Sequence, residues 1–433
     1  AHHQGASGFG ALRPEGRVMV FPDWESFTPD FAKAELKRLL ASGAKAVEEL
    51  EQSGLDSFES VSYALNDALR ELWRTWGKLS HLSSVMNSDR WRQAEEEFQP
   101  AMVQFSLRVG QSRVFYRAMK NLLETPGKVV DPVRRRILEK AVRAAELSGV
   151  ALKGSKLERF NAIQAELARL AMEFSNSVID ATKAFKYEKD GKAYTIDDAA
   201  YPETMKHCPD REVREVLFRA RSSRAPDNAP RIAEILRLRR EMSSILGYAD
   251  YARLSLSSKC APSVEAVMKM IDELDGATLA ISKRELEELS EGEVAPWDRA
   301  YLSERLREER YSYSEEELKR YFELSQVLNG LWRISGFLFD IEVKELTGDK
   351  KPSVWHPDVR FFSVEKDGRE VAYFYLDPFV RNGLKRGGAW MNEFGNRSDR
   401  LGEKPLAVLV LNLPSTMSLQ TLREDVSSSA STS

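Results

Sequence analysis

Cysteine and histidine are scarce in this chain, and their scarcity limits its chemistry. Two cysteines, Cys208 and Cys260, allow one bridge at most, exclude a disulfide framework or a multi-thiolate zinc site, and make a reducing or neutral compartment the simpler reading. The five histidines are His2, His3, His81, His207 and His356, and no pair has the H-E-x-x-H spacing that sets two imidazoles one helical turn apart beside a glutamate. Charge of one sign is missing as well. The 64 Lys and Arg stand against 67 Asp and Glu, and the net charge of −3 gives neither nucleic acid nor an anionic membrane a hold. No apolar run approaches the ~20 residues that span a bilayer, and no charged-then-apolar signal segment opens the chain, so a soluble protein is expected. A G-x-S-x-G elbow, a Walker loop and a G-x-G-x-x-G fingerprint are also absent, which removes the usual signatures of serine hydrolases and nucleotide binders.

What the chain does have is helical periodicity. At 433 residues it can bury a substantial core, as two or three domains or as one large helical body. Helical spacing dominates from Pro29 to about residue 345. Phe58, Val61, Leu65, Leu69, Leu72, Trp76 and Leu79 recur at steps of three or four and form one apolar stripe, and Asp56 with Glu59 three residues on reads as its capping-box start. Phe160, Ile163, Leu167, Leu170, Phe174 and Val178 mark a second stripe in a segment without Pro or Gly between Ser155 and Asp190, read as one long helix. Further helices are expected near 211–224, 231–246, 263–291 and 314–336. Basic residues such as Arg237, Arg239 and Arg240 interleave with Glu234 and Glu241, as on a solvated face.

After residue 345 strands take over. Phe361–Val364 and Val371–Leu376 flank Asp367-Gly368, a strong hairpin signal, and Pro405–Leu411, reading PLAVLVL, is a third, buried strand. Lys385–Trp390 can turn into a fourth, giving a small, mostly antiparallel sheet after the helical body. Only the final serine-rich tail is low in complexity.

The candidate metal ligands are thin. His2 and His3 sit in a glycine- and alanine-rich terminus, His81 within a helical stripe, and His207 beside Cys208 and Pro209, where adjacency makes poor chelate geometry. His356 and Asp358 would share a face in an extended segment, as a His-x-Asp metal pair does, but Pro357 explains the same residues as a turn and no third ligand stands near. The first residue is Ala1, consistent with processing after a removed targeting peptide or with a clipped fragment.

VWHPDVRFF from Val354, AYFYLDPFVR from Ala372 and KRGGAWM from Lys385, in this order, resemble the start of the catalytic domain of the thimet oligopeptidase and oligopeptidase A family of zinc metallopeptidases. The resemblance also takes in Ala295–Asp298 with Tyr301 and Glu304, Leu246–Tyr248 with Tyr251 and Ala252, Phe174–Val178, Glu146–Gly149 and Ser80–Leu82, and covers roughly residues 25 to 426. It implies a mainly α, two-lobed, channel-type oligopeptidase that takes short peptides, with a small sheet at the start of its catalytic region. It divides the chain into a flexible segment 1–24, an N-terminal helical region 25–150, a second helical region 151–345, the beginning of the catalytic domain 346–426 and a divergent tail 427–433.

In that family a zinc on an H-E-x-x-H helix activates water, with the glutamate as general base. Thr421–Glu424 resembles the lead-in to that helix, after which Asp425-Val426 passes into SSSASTS. The resemblance therefore implies a truncated form that lacks every zinc ligand and the general base, so no catalytic or metal-binding residue is assigned and the chain alone is expected to be inactive. A non-catalytic peptide-binding or scaffold protein is the alternative. The expected partners are short peptides and, through an uncovered sheet face, a second copy of the chain; no zinc is expected to bind this chain specifically. Peptidases of this general kind add an extended substrate to a sheet edge. Gly387, Gly388, Ala389, Trp390 and Met391 are the candidate edge, although the glycines equally suit an ordinary turn at the start of a strand. Plastid, mitochondrion and cytoplasm all remain open as compartments.

Overall fold

The computed structural model describes residues 20–290, 292–312, 321–381 and 383–413. The fold is mainly helical and divides into two units. One comprises Pro29–Arg320 with Arg381–Arg386; the other comprises Ala1–Thr28, Tyr321–Val380 and Gly387–Ser433.

The first unit is built of helices. It begins with α1 (Pro29–Gln52), α2 (Ala64–Val85), α3 (Asp89–Gly110), α4 (Arg113–Glu124), α5 (Pro132–Leu147) and α6 (Gly154–Ala184). The expected first stripe is buried at Phe58, Val61, Leu69, Leu72 and Leu79, whereas Leu65 and Trp76 are half-buried. Its lead-in differs from expectation. Ser57 and Ser60 form the reciprocal cap, with Ser57 N–H donating to Ser60 Oγ at 3.2 Å and Ser60 N–H to Ser57 Oγ at 3.3 Å, and a π-turn over Glu59–Tyr63 joins it to α2. The capping box thus lies one residue beyond Asp56 and Glu59, because two short hydroxyls satisfy the orphan N–H groups there.

The long helix expected up to Asp190 ends at Ala184. Residues 187–194 instead form an antiparallel hairpin, β1 (Tyr187–Lys189) with β2 (Lys192–Tyr194), turning through Asp190 and Gly191 at φ 52° and 76°. Both turn residues hold the positive φ that a tight hairpin requires. Next come α7 (Ala200–His207), α8 (Arg211–Ser222), α9 (Asn228–Ile245), α10 (Tyr251–Leu256), α11 (Val264–Leu289) and α12 (Arg299–Tyr311). Phe160, Ile163 and Leu170 of α6 join Leu238 and Met242 of α9 in one buried cluster.

Among its described residues, the second unit pairs the helix α13 (Leu324–Phe339) with a five-stranded sheet. Part of the helix expected over 314–336 lies outside the described residues, and the described part becomes helical only at Leu324. The strands are β3 (Glu342–Glu345), β4 (Arg360–Lys366), β5 (Arg369–Phe379), β6 (Trp390–Gly395) and β7 (Leu406–Leu413), in the spatial order β3-β4-β5-β7-β6. The β5–β7 pair is parallel and the other three are antiparallel. Asp367 and Gly368, at φ 51° and 70°, make the β4–β5 turn as expected.

Strand alternation sends Phe362, Phe374 and Leu376 to one face, against Leu324, Leu328 and Trp332 of α13. Phe361, Tyr373 and Tyr375 go to the other, where Phe21 and Trp24 cover them edge-on. In β7, Leu406, Val408 and Val410 are buried while Leu409 and Leu411 are half-covered. More apolar surface is uncovered on helices: Ile334 and Phe337 of α13 are 59% and 89% exposed, and α11 buries none of its residues.

Candidate functional site

Strand β6 forms one rim of the sheet. It pairs with β7 alone, Trp390 opposite Val410 and Asn392 opposite Val408, and its other rim has no strand beside it among the described residues. An edge strand is the position at which a further extended segment can pair with a sheet. Phe394 anchors β6, its ring centroid 5.0 Å from that of Trp24 and 6.3 Å from that of Tyr375. Met391 faces outward, 70% exposed.

The candidate residues Gly387–Met391 are contiguous with this rim. Gly387 and Gly388 bend the chain, Ala389 extends it, and Trp390 and Met391 open β6. Gly388 sits at φ 89°, and a Cβ built there would meet nothing within 4 Å. Its left-handed backbone is what requires glycine, and the space above it is open. The side-chain amide of Asn412 donates to Gly388 O, which ties the bend to the end of β7. The remainder of the rim, Asn392 to Gly395, was not signalled by the sequence, because only the pairing with β7 makes it an edge.

The other candidates are scattered. His356 Nδ1 accepts from Asp358 N–H at 3.3 Å and lies 3.5 Å from the Asp358 carboxylate, a local turn around Pro357. His207 lies 3.8 Å from Glu203 on its own helix, and Cys208 packs with Ile196, Met205, Val213 and Leu217. His81 is buried in α2; His2 and His3 lie outside the described residues. Nearer the sheet core, Trp355 Nε1 donates to the fully buried Asp377 at 2.9 Å, and burial pushes the Tyr375 hydroxyl well above the ordinary tyrosine range, an effect that Trp24 opposes. Among the described residues no three His, Cys, Asp or Glu side chains converge as a metal requires. The described side chains do not fit a zinc ion.

In the helical unit, Asp298 is buried and accepts from Arg211 at 3.0 Å and Arg214 at 2.8 Å, a structural clamp joining α8 to α12. A cleft of about 610 Å³ is lined by Arg92, Glu173, Asp180, Asp227 and Arg231. Its cations are already committed, Arg92 to Asp180 at 2.7 Å and Arg231 to Asp227 at 2.6 Å.

Residues 204–424, which include the sheet and its β6 rim, match the model of peptidase family M3, and residues 36–157 match that of the neurolysin/thimet oligopeptidase N-terminal domain. The chain belongs to peptidase family M3. Organellar oligopeptidase A of Arabidopsis thaliana, described as chloroplastic/mitochondrial, is 34% identical over 447 residues, covering 90% of this chain and 56% of its own length. The probable cytosolic oligopeptidase A of the same plant is also 34% identical, with 63% of its length covered. Oligopeptidase A of Escherichia coli is 30% identical, with 90% of this chain and 64% of that protein covered. This M3 chain thus spans about three-fifths of the length of these relatives. A solved structure described as an oligoendopeptidase F aligns over 87% of this chain and 59% of its own, with 14% identity and a TM-score of 0.52, a likeness of fold alone. No helix among the described residues is long and apolar enough to cross a membrane.

Proposed function

We propose that this M3 chain contributes the peptide-holding part of a zinc metalloendopeptidase that hydrolyses short peptides, and that β6 with its lead-in is where the peptide is held. The carrying observation is the position of β6 at the end of the strand order among the described residues, within the M3-matched stretch. An extended peptide added there gains main-chain hydrogen bonds that do not depend on its sequence, as a peptidase of broad preference needs. Open space above Gly388 and the exposed Met391 side chain leave room for it.

Hydrolysis by these 433 residues alone is not expected, since their five histidines include no H-E-x-x-H pair. In the complete enzyme, zinc held by residues outside this sequence would activate water. A second reading, a non-catalytic peptide-binding protein derived from the family, rests on the same sequence, in which no H-E-x-x-H pair occurs. The relatives' names divide between organelle and cytosol, and either compartment suits the near-neutral charge.

The test is calorimetric titration of a short unstructured peptide into the chain, together with Met391→Pro and Asn392→Pro. Because neighbouring strand residues point their N–H groups to opposite rims, one of the two prolines removes an outward donor. Weaker binding in one variant supports the reading; unchanged affinity in both, with the fold intact, overturns it. Zinc-dependent cleavage by the chain alone would overturn its proposed inactivity.

A further inference from the structure

Away from the sheet, a second pocket in the helical unit has a different character from the charged cleft. About 470 Å³ in volume, it opens among α3, α6, α9 and α10, within the ~300–1,000 Å³ range of small-molecule sites. Leu107, Leu167, Ile235 and Met242 give it apolar walls, packed on the buried cluster around Phe160 and Ile163. Arg239 lines it, and its guanidinium carbon lies 4.8 Å from the centroid of the Tyr251 ring.

Arg239 differs from Arg231 and Arg237 on α9 in its pairing, and from the exposed Arg240 in being half-buried. Arg231 is 2.6 Å from Asp227, and Arg237 is 2.6 Å from Glu234 and 3.0 Å from Glu241, whereas no described carboxylate pairs with Arg239. The alternation of Arg237, Arg239 and Arg240 with glutamates suggested a uniformly solvated face, but Arg239 is half-buried in a pocket wall. A guanidinium offers five donors and no acceptor, so one that stacks on a ring but pairs with no described carboxylate, beside apolar walls, is complementary to an anion with an apolar body. Gln164 and Ser148 also line the space and can bond to such a ligand's second oxygen.

We infer that this pocket binds a small monocarboxylate with an apolar tail, its carboxylate on Arg239 and its tail against Leu107, Leu167 and Met242. This is independent of the reading of β6. The carboxylate has two possible sources, a free medium-chain acid or the C-terminus of a peptide ending in an apolar residue.

Calorimetry on the full 433-residue chain separates them. The probes are octanoate, N-acetyl-leucine, and the amide of each, with Arg239→Met as the test variant and Arg237→Met as the control. At least one carboxylate is expected to bind, with its amide about tenfold weaker or worse and binding lost in R239M but kept in R237M. Octanoate alone would assign a free acid, N-acetyl-leucine alone a peptide C-terminus, and both together the shared chemistry. No carboxylate binding up to roughly 10 mM, equal binding of the amides, or undiminished binding in R239M overturns the inference. Should R239M fail to fold, Met242→Trp, which fills the apolar wall and keeps Arg239, has to block the carboxylates.

Discussion

The sheet has two rims, and they are built on opposite rules. β3 is four residues long and reads Glu-Val-Lys-Glu; Lys344 bridges Glu342 at 3.1 Å and Glu365 at 2.7 Å, and Arg360 holds Glu345. Short length and paired charge are the devices by which proteins keep an edge from recruiting another strand. β6 is six residues long with Glu393 as its only charged residue, and it exposes Met391. The β6 rim carries fewer charges than its counterpart, although its register shifts between Glu393 and Gly395, and this contrast in charge is the physical basis for the proposal that the peptide lies on β6.

The largest expected effect removes the contrast altogether. Phe361 is fully buried, stacks on Tyr373 with centroids 5.9 Å apart and meets Tyr375 at a tilt with centroids 4.6 Å apart, so Phe361→Ala should cost about 3–5 kcal/mol and loosen both rims together. A fall in the denaturant midpoint, accompanied by loss of peptide binding, checks this. Next in size is proline on the rims. Whichever of Met391→Pro and Asn392→Pro removes the outward N–H should weaken peptide affinity about three- to tenfold, whereas Lys344→Pro on β3 should leave affinity unchanged in whatever fraction remains folded. A smaller effect should follow from disarming β3. Replacing Glu342 and Lys344 with threonine should give that rim measurable self-association by sedimentation, since the charges guarding it are gone.

The smallest effect is with pH. Hydrogen bonding to Glu365 and Glu342 raises the Lys344 pKa above the ordinary lysine value of ~10.4. A raised folded value means that its contribution is complete below the unfolded pKa and is lost as pH rises through the folded one. The guard on β3 should therefore hold unchanged from about pH 6 to 9 and weaken only in strong alkali, which a pH series of the sedimentation measurement would reveal.

Much of this was legible in the sequence. Asp367-Gly368 gave the hairpin because β-branched and aromatic runs flank it, so local turn chemistry and pattern agreed. The same dipeptide at Asp190-Gly191 carries no such signal, since charged residues surround it and the apolar stripe of α6 leads almost up to it without a breaker. The buried faces of α2 and α6 followed from spacing alone. Strand order did not: β7 enters between β5 and β6, and that long-range placement alone makes β6 an edge among the described residues. Nor could sequence separate Arg239 from Arg237, because both sit in the same alternation of charges and only the packing of α6 and α10 against α9 tells them apart.

Amide hydrogen exchange with and without a short peptide tests the central contrast most directly. The expected result is slowed exchange at alternate residues of Trp390–Gly395 when peptide is present, with Glu342–Glu345 unchanged. Protection on β3, or none on β6 at a peptide concentration that saturates binding, would contradict the assignment of β6 as the peptide-holding rim.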